Sequence, residues 1–364
     1  MAWRVERHRL DERVPKARAL EVVGEIGGLH AQLMSSAELS LWARVDKLKR
    51  NDVDKWLWTD RQLVKTWAMR GTLHLLPSDE YLLWQAGLST YEHYLKPAWF
   101  KAFGVTRAEL DKLITSIAKA LDGRTLTRDE LAARVAKIAK SEALADKLRG
   151  SWGAMLKPAS FQGRLCFGPN KGRNVSFARP DQWLGLGESV DPAAALEDIT
   201  RRFLSAYGPA TREDFARWWA VSPAAGGRLI AGLGQEVTPV PLDGGDYWAL
   251  SETVSDIAEA SPAKSVRLLP GFDPYVIGST LHAAKLMTGD HKARVHRPQG
   301  WVSPVLFVGG RIDGVWRHER KGKRVMVDIE PFGAVPKWVT RGAEQEAESL
   351  ATFLGGSLEL AWVR

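Results

Sequence analysis

Cysteine is nearly absent from this chain: one residue, Cys166, in 364. A single thiol excludes an internal disulfide framework and any cysteine-based zinc site, and it fits a reducing cytoplasm. Long apolar runs are absent too. No stretch approaches the ~18–20 apolar residues that span a bilayer, so no membrane partner is expected. The opening MAWRVERHRLDERV is charged where a secretory signal needs an apolar core. The common catalytic signatures are also missing. There is no Gly-x-x-x-x-Gly-Lys-Ser/Thr loop to cradle phosphates, no Gly-x-Ser-x-Gly elbow, no His-Glu-x-x-His and no Gly-x-Gly-x-x-Gly after a strand. His291 and His296 are five apart, which does not put them on one helix face. ATP, nicotinamide and metal hydrolysis are therefore disfavoured, and neither a metal nor another cofactor is expected.

What is present is ordinary globular composition, 45% hydrophobic and 26% charged, on a chain long enough for several cores. Net charge is +8, and its distribution is uneven. Between His282 and Arg324 ten Lys and Arg face three acids, so this segment alone carries +7, with four of the eight His. Such concentration suits a polyanion partner; a solvated basic face is the plainer alternative.

Periodicity repeats three times: an amphipathic helix, a capped second helix, a third helix, then a hairpin rich in Gly and basic residues. In the first copy the spacing predicts a helix from about Val14 to Gly28, a second around Ala37–Leu48, a third from Asn51 or Asp52 to Leu57, and alternation from Leu63 to Leu75. In the second copy Thr106 caps a helix to Leu121, Thr127 to Glu130 forms a capping box, a helix lies near Trp152–Phe161, and two strands flank Gly168-Pro169-Asn170-Lys171-Gly172. The third runs from Asp191-Pro192 to Tyr207, from Thr211 to Trp219, from Ser222 to Ala231, and through a hairpin at Val237–Leu250 turned at Gly244-Gly245. Helix, helix-turn-helix and two-stranded wing is the winged-helix pattern. The remainder reads as a basic β-rich domain with strands at Val302–Val308, Arg311–Arg317, Arg324–Ile329 and Leu358–Val363, a helix at Glu344–Leu354, and a two-residue turn at Gly309-Gly310. The expected fold is α+β in four parts: 1–105, 106–190, 191–260 and 261–364.

One segment is unusual. Gly27-Gly28-Leu29-His30-Ala31-Gln32 sets two polar side chains two residues apart where a helix stops at paired glycines. If extended, the stretch projects His30 and Gln32 to one side; the same residues also fit simple turn and cap roles. Together with Trp67-Ala68-Met69-Arg70-Gly71-Thr72-Leu73-His74, with Leu268-Leu269-Pro270-Gly271-Phe272-Asp273-Pro274-Tyr275 and with the Val305–Trp316 hairpin, it resembles the winged-helix DNA glycosylases of the AlkZ/YcaQ type. The resemblance spans nearly the whole chain. It implies three tandem winged-helix units with a β-rich C-terminal domain, C-shaped around DNA. It also implies excision of alkylated bases and self-resistance to DNA-alkylating natural products. That family's catalytic pair is commonly Gln-x-Gln or Gln-x-Asp, and here it stands as His30-Ala31-Gln32.

The chemistry is consistent with such a pair. A purine alkylated at N7 already carries positive charge, so its base leaves without an acid. The protein has only to stabilise an oxocarbenium-like sugar and hold a water. Gln32 offers a carbonyl acceptor; His30, with an ordinary pKa near 6.5, can accept a proton. The expected function is a monofunctional glycosylase acting on N7-alkylated purines in duplex DNA, as a cytoplasmic, nucleoid-associated monomer. A non-catalytic winged-helix DNA-binding protein or regulator is the competing reading. The DNA-contacting candidates are Arg70, His74, Lys171, Arg173, Arg311, Arg317 and Lys321. Asp273 is read as a local ion pair or turn cap, and most of the sixteen Trp, with Trp56, Trp58, Trp218 and Trp219 as examples, as core.

Overall fold

Hydroxyl caps set the best-defined helices. In the computed structural model, which describes residues 1–242, 245–287 and 289–363, Thr106 and Thr127 each accept from the backbone N–H three residues on. Glu109 and Glu130 reach back to the cap N–H, so helices Arg107–Ala120 and Arg128–Ala139 both start with a closed capping box. Thr211 and Asp214 do the same for Arg212–Trp219. The fold is mixed α+β. It divides into two units, Asp54–Ile199 on one side and Met1–Val53 with Thr200–Arg364 on the other.

In the unit Asp54–Ile199 the end of the helix Asp52–Trp58 leads into an antiparallel hairpin, Leu63–Trp67 against Leu73–Pro77. After helices Tyr81–Ser89 and Pro97–Phe103 come the two box-capped helices and Glu142–Gly150. A three-stranded sheet follows, in the order Leu126–Thr127, Asn174–Ala178, Cys166–Lys171. Leu110, Leu113 and Ile117 from the first capped helix and Leu131 and Val135 from the second are fully buried, as the 3.6-residue spacing required. Each buries about 1.5–3 kcal/mol of transfer free energy. Trp67 of the hairpin packs on Phe167 of the sheet, ring centroids 4.8 Å apart.

Three expectations shift here. The helix expected near Trp152–Phe161 is shorter, Lys157–Phe161, and a separate helix before it, Glu142–Gly150, was not expected. Trp152 falls between them at φ +49° and is 95% exposed. The turn of this hairpin lies at Gly172-Arg173, since Lys171 pairs with Asn174, and Pro169 to Lys171 belong to the strand. Trp56 and Trp58 are half-buried.

The other unit begins with the helix Ala2–Arg7, which periodicity did not suggest, and continues with Ala19–Glu25 and Met34–Trp42, both shorter than expected. Helices ending at Tyr207, Trp219 and Gly232 precede the hairpin Val237–Leu242 with Gly245–Leu250; of its expected turn, Gly244 lies outside the described residues. Trp218 and Trp219 are buried.

A five-stranded sheet then runs in the order Ser357–Trp362, Arg324–Pro331, Arg311–Lys321, Val305–Val308, Val266–Leu269. Only the first pair is parallel, and the helix Lys337–Phe353 connects its strands. The strand Val266–Leu269 was missed, and Arg311–Lys321 outruns its expected end by four residues because Arg317 to Lys321 are polar and exposed on both faces. With Arg324 they form a hairpin end that alternation of hydrophobicity cannot reveal.

His8 is fully buried between the rings of Tyr207 and Tyr275, at 4.8 and 5.5 Å. Burial first, then the charges of Arg44, Arg4 and Arg7, hold its pKa well below 6.5. Below about pH 6.5 the unfolded chain therefore binds a proton that the folded chain excludes, and stability falls as pH drops. Denaturant unfolding at pH 7.5 and 5.5 should show this loss. His8→Gln should lessen the slope by up to about 1.4 kcal/mol per pH unit, leaving the contributions of His93, His296 and His318, which are also lowered. An unchanged slope would mean that His8 is protonated in the folded state.

Candidate functional site

Two glycines aim the segment that carries His30. After helix Ala19–Glu25 both Gly27 and Gly28 take positive φ, 73° and 89°, a conformation that side chains resist. At Gly27 a Cβ would also lie 2.9 Å from the Trp218 ring. The Gly28 N–H donates to the Val23 carbonyl at 2.8 Å and closes the helix end. The Tyr207 hydroxyl donates to the Ile26 carbonyl at 3.0 Å, tying the turn to the helix ending at Tyr207.

The chain leaves as the extended pair Leu29–His30, bends at Gln32 and Leu33, and re-enters helix at Met34. The alternation that was to project His30 and Gln32 together thus holds only as far as His30. The two residues straddle the surface instead: the imidazole is 7% exposed, whereas Gln32 is exposed.

The imidazole is stacked on Phe272, ring centroids 4.9 Å apart and planes 14° from parallel. Phe272 takes φ +62°, an outlier for an aromatic residue, and is held there from both sides. Before it, a Cβ on Gly271 would stand 2.8 Å from the Val302 carbonyl oxygen. After it, Asp273 makes a two-pronged ion pair with Arg44 at 2.7 and 2.8 Å, and neither side chain is exposed. Asp273 also accepts from the Tyr275 N–H at 3.0 Å and caps the helix Pro274–Gly278. Arg44 gives a further bond to the Ser40 carbonyl at 2.7 Å. The Trp316 indole donates to the Leu269 carbonyl at 2.7 Å and the Tyr275 hydroxyl to the Gly310 carbonyl at 2.9 Å. Three sequence segments singled out separately, around His30, Phe272 and Gly310, thereby form one bonded cluster.

The remaining candidates are dispersed. In the unit Asp54–Ile199, Arg70 sits at φ +59° on the tip between the strands of the first hairpin. His74 is 2% exposed with its ring against the Thr72 carbonyl at 3.1 Å, a position that braces the turn and leaves no ring face for a phosphate. Lys171 and Arg173 are exposed at the tip of the hairpin of Cys166–Lys171 and Asn174–Ala178, Lys171 paired with Glu130 at 2.9 Å.

In the other unit, the Gly309-Gly310 turn does not project. The Gly309 N–H bonds the Ser265 carbonyl, and a Cβ on Gly310 would meet Val5 at 3.3 Å, so Arg311 beside it is half-buried. The projecting end is at Gly322, where residues 317–324 are all exposed and include Arg317, Arg320, Lys321, Lys323 and Arg324. Arg317 pairs with Asp328 at 2.8 Å and Lys321 with Glu319 at 3.2 Å. Among the described residues no group of three His, Cys, Asp or Glu could hold a metal ion.

Sequence reasoning missed Arg44, which lies 229 positions from Asp273 and carries no local signal. It also missed the stacking role of Phe272. There the signal was available: an Asp-Pro that starts a helix directly after a Gly-Phe turn.

Comparison with known proteins adds to this geometry. The family model described as DNA glycosylase AlkZ-like matches residues 23–353. An interstrand DNA cross-link repair glycosylase of Streptomyces sahachiroi is 36% identical over 365 residues, covering 98% of this chain and 96% of that protein. The solved structure of the Streptomyces sahachiroi DNA glycosylase AlkZ superposes with a TM-score of 0.90 at 35% identity, covering 100% of this chain and 98% of that one.

Removing one partner of the buried ion pair strands the other charge. Asp273→Asn should cost about 3–5 kcal/mol in denaturant unfolding, and Arg44→Met with Asp273→Leu should recover much of it. A cost under about 1 kcal/mol for the single change would show that the pair does not hold this cluster.

Proposed function

The chain belongs to the AlkZ-like DNA glycosylase family, and from that premise we propose that it hydrolyses the N-glycosidic bond of N7-alkylated purines in duplex DNA, bulky natural-product adducts included, with water positioned by His30 and Gln32. The observation that carries the site assignment is the His30 imidazole, buried and stacked on Phe272, two residues from an exposed Gln32. A ring clamped in that way keeps one orientation while its neighbour meets the substrate. The Streptomyces sahachiroi relative is named for interstrand cross-link repair, and cross-linked DNA is a second substrate class in this proposal.

The bond between the sugar anomeric carbon and the purine breaks with its electron pair going to the base, which neutralises the charge left by alkylation. Water adds to the anomeric carbon and loses one proton to His30, while its other hydrogen stays on the new hydroxyl and donates a hydrogen bond to the Gln32 carbonyl. Neither residue is a strong acid, so an unmodified base, whose departure needs protonation, is spared. No cofactor enters the reaction, and the protein acts as a monomer in the cytoplasm, at the nucleoid. We read the runs of three helices and a hairpin as three winged-helix units, 1–105, 106–190 and 191–260, before a β-rich domain at 261–364. Arg70, Lys171, Arg173, Arg311, Arg317 and Lys321 contact phosphates, with His74 supporting the Arg70 turn.

The test is single-turnover base release from duplex DNA bearing N7-methylguanine and bulkier adducts. Gln32→Ala and His30→Ala should each slow release by about 10²-fold or more with DNA affinity little changed, the pattern of groups acting in the transition state. His30→Gln should retain appreciable activity. The wild-type rate should fall as pH drops from 8 to 5, because a protonated imidazole cannot accept, while His30→Gln stays nearly flat. Wild-type rates in both alanine variants would overturn the catalytic assignment. Binding supplies a second check. Replacing Arg311, Arg317 and Lys321 together with Ala should reduce the slope of log affinity against log salt by about 0.9 for each phosphate no longer neutralised. An unchanged slope would place that strand away from DNA.

A further inference from the structure

The ring stack at His30 does not end at Phe272. The Trp301 indole meets Phe272 edge to face, centroids 5.0 Å apart and planes at 73°, and it is 47% exposed although it is among the largest apolar side chains in the chain. Its backbone is fixed. The short turn Pro298–Gly300 precedes it, with Gln299 at φ +61° and Gly300 at +76°. The Arg297 N–H donates to the Trp301 carbonyl at 2.8 Å, and a bridge pairs His296 with Val302. Below the bridge, Ser303 bonds the carbonyls of Val295 and Arg294 at 2.9 and 2.8 Å. A half-exposed indole on a loop tied this closely is held in place at the surface without being buried by folding. It also stands two ring contacts from the candidate catalytic imidazole.

We infer that Trp301, braced from beneath by Phe272, is a stacking shelf for the planar apolar substituent of an alkylated purine, and so determines specificity for bulky over small adducts. This rests on the glycosylase reading of His30. The indole lies two ring contacts from His30, so only a substituent extending away from a purine held there spans the distance to it. A methyl group is too short. Tryptophan has the largest face of the aromatic side chains and stacks on any planar system without needing a hydrogen-bond partner, so the shelf selects for size and flatness more than for identity.

The experiment compares single-turnover kcat/KM on two duplexes, one with N7-methylguanine and one with a guanine bearing a polycyclic aromatic N7 substituent, for wild type, Trp301→Ala and Trp301→Phe. Trp301→Ala should lower kcat/KM for the polycyclic adduct by about tenfold or more and leave N7-methylguanine within about twofold. Trp301→Phe should recover most of the loss, and circular dichroism should show both variants folded. Equal losses on the two duplexes would make Trp301 a general DNA contact, and no loss on either would make it an idle surface ring; both overturn the shelf while leaving the glycosylase reading intact. Release of neither base by the wild type would instead overturn the glycosylase reading, and the shelf with it.

Discussion

The buried pair between Arg44 and Asp273 is the constraint on which the site depends. Two charges taken fully out of water are tolerable only when each is answered, and here the guanidinium fork meets both carboxylate oxygens and a backbone carbonyl. The pair fastens the segment just after helix Met34–Trp42 to the turn that carries Phe272. Because Asp273 adjoins Phe272, fixing the carboxylate also fixes an aromatic residue in a backbone conformation it would otherwise avoid. The orientation of the His30 ring is then a consequence, since it lies nearly parallel to the Phe272 ring.

Around that pair the supports come from tyrosines and a tryptophan rather than from further charges. Tyr207 holds the carbonyl before the glycine turn, Tyr275 the carbonyl of Gly310, and Trp316 the carbonyl of Leu269. Each places an aromatic body in the core and spends its single polar atom on a backbone group that would otherwise be buried unsatisfied. His8 differs: its ring is buried between Tyr207 and Tyr275 with neither nitrogen hydrogen-bonded, and burial beside three arginines holds its pKa down.

Electrostatics outside the core follow a different rule. The +7 segment is less bare than its count suggests, because Arg294, Arg317 and Arg324 are met by Glu330, Asp328 and Glu359, acids that lie beyond it in sequence. Exposed pairs of this kind are easily exchanged, so these cations remain available to a phosphate while being held in position. The strand pairing gathers the surplus at one exposed end, around Gly322.

Much of the local structure was legible in advance. Thr106, Thr127 and Thr211 announced three helices because a capping box is a contact between residues three apart, complete within its own segment. Gly27-Gly28 marked a helix end for a similar reason, since positive φ is a property of the residue itself. The errors lie where a segment's own pattern is short or ambiguous. The strand Val266–Leu269 is too short to show a period, Trp152 looks apolar yet stays in solvent, and the pairing that sets the Lys171 turn depends on Asn174 across the hairpin. At the site, the His30 and Gln32 positions, the glycines before them and the Gly-Phe-Asp-Pro turn are matters of sequence. That the imidazole is buried, that it stacks on Phe272 and that Arg44 answers Asp273 were decided only by tertiary packing, because a ring contact or an ion pair across 229 positions leaves no periodicity for a single chain to display.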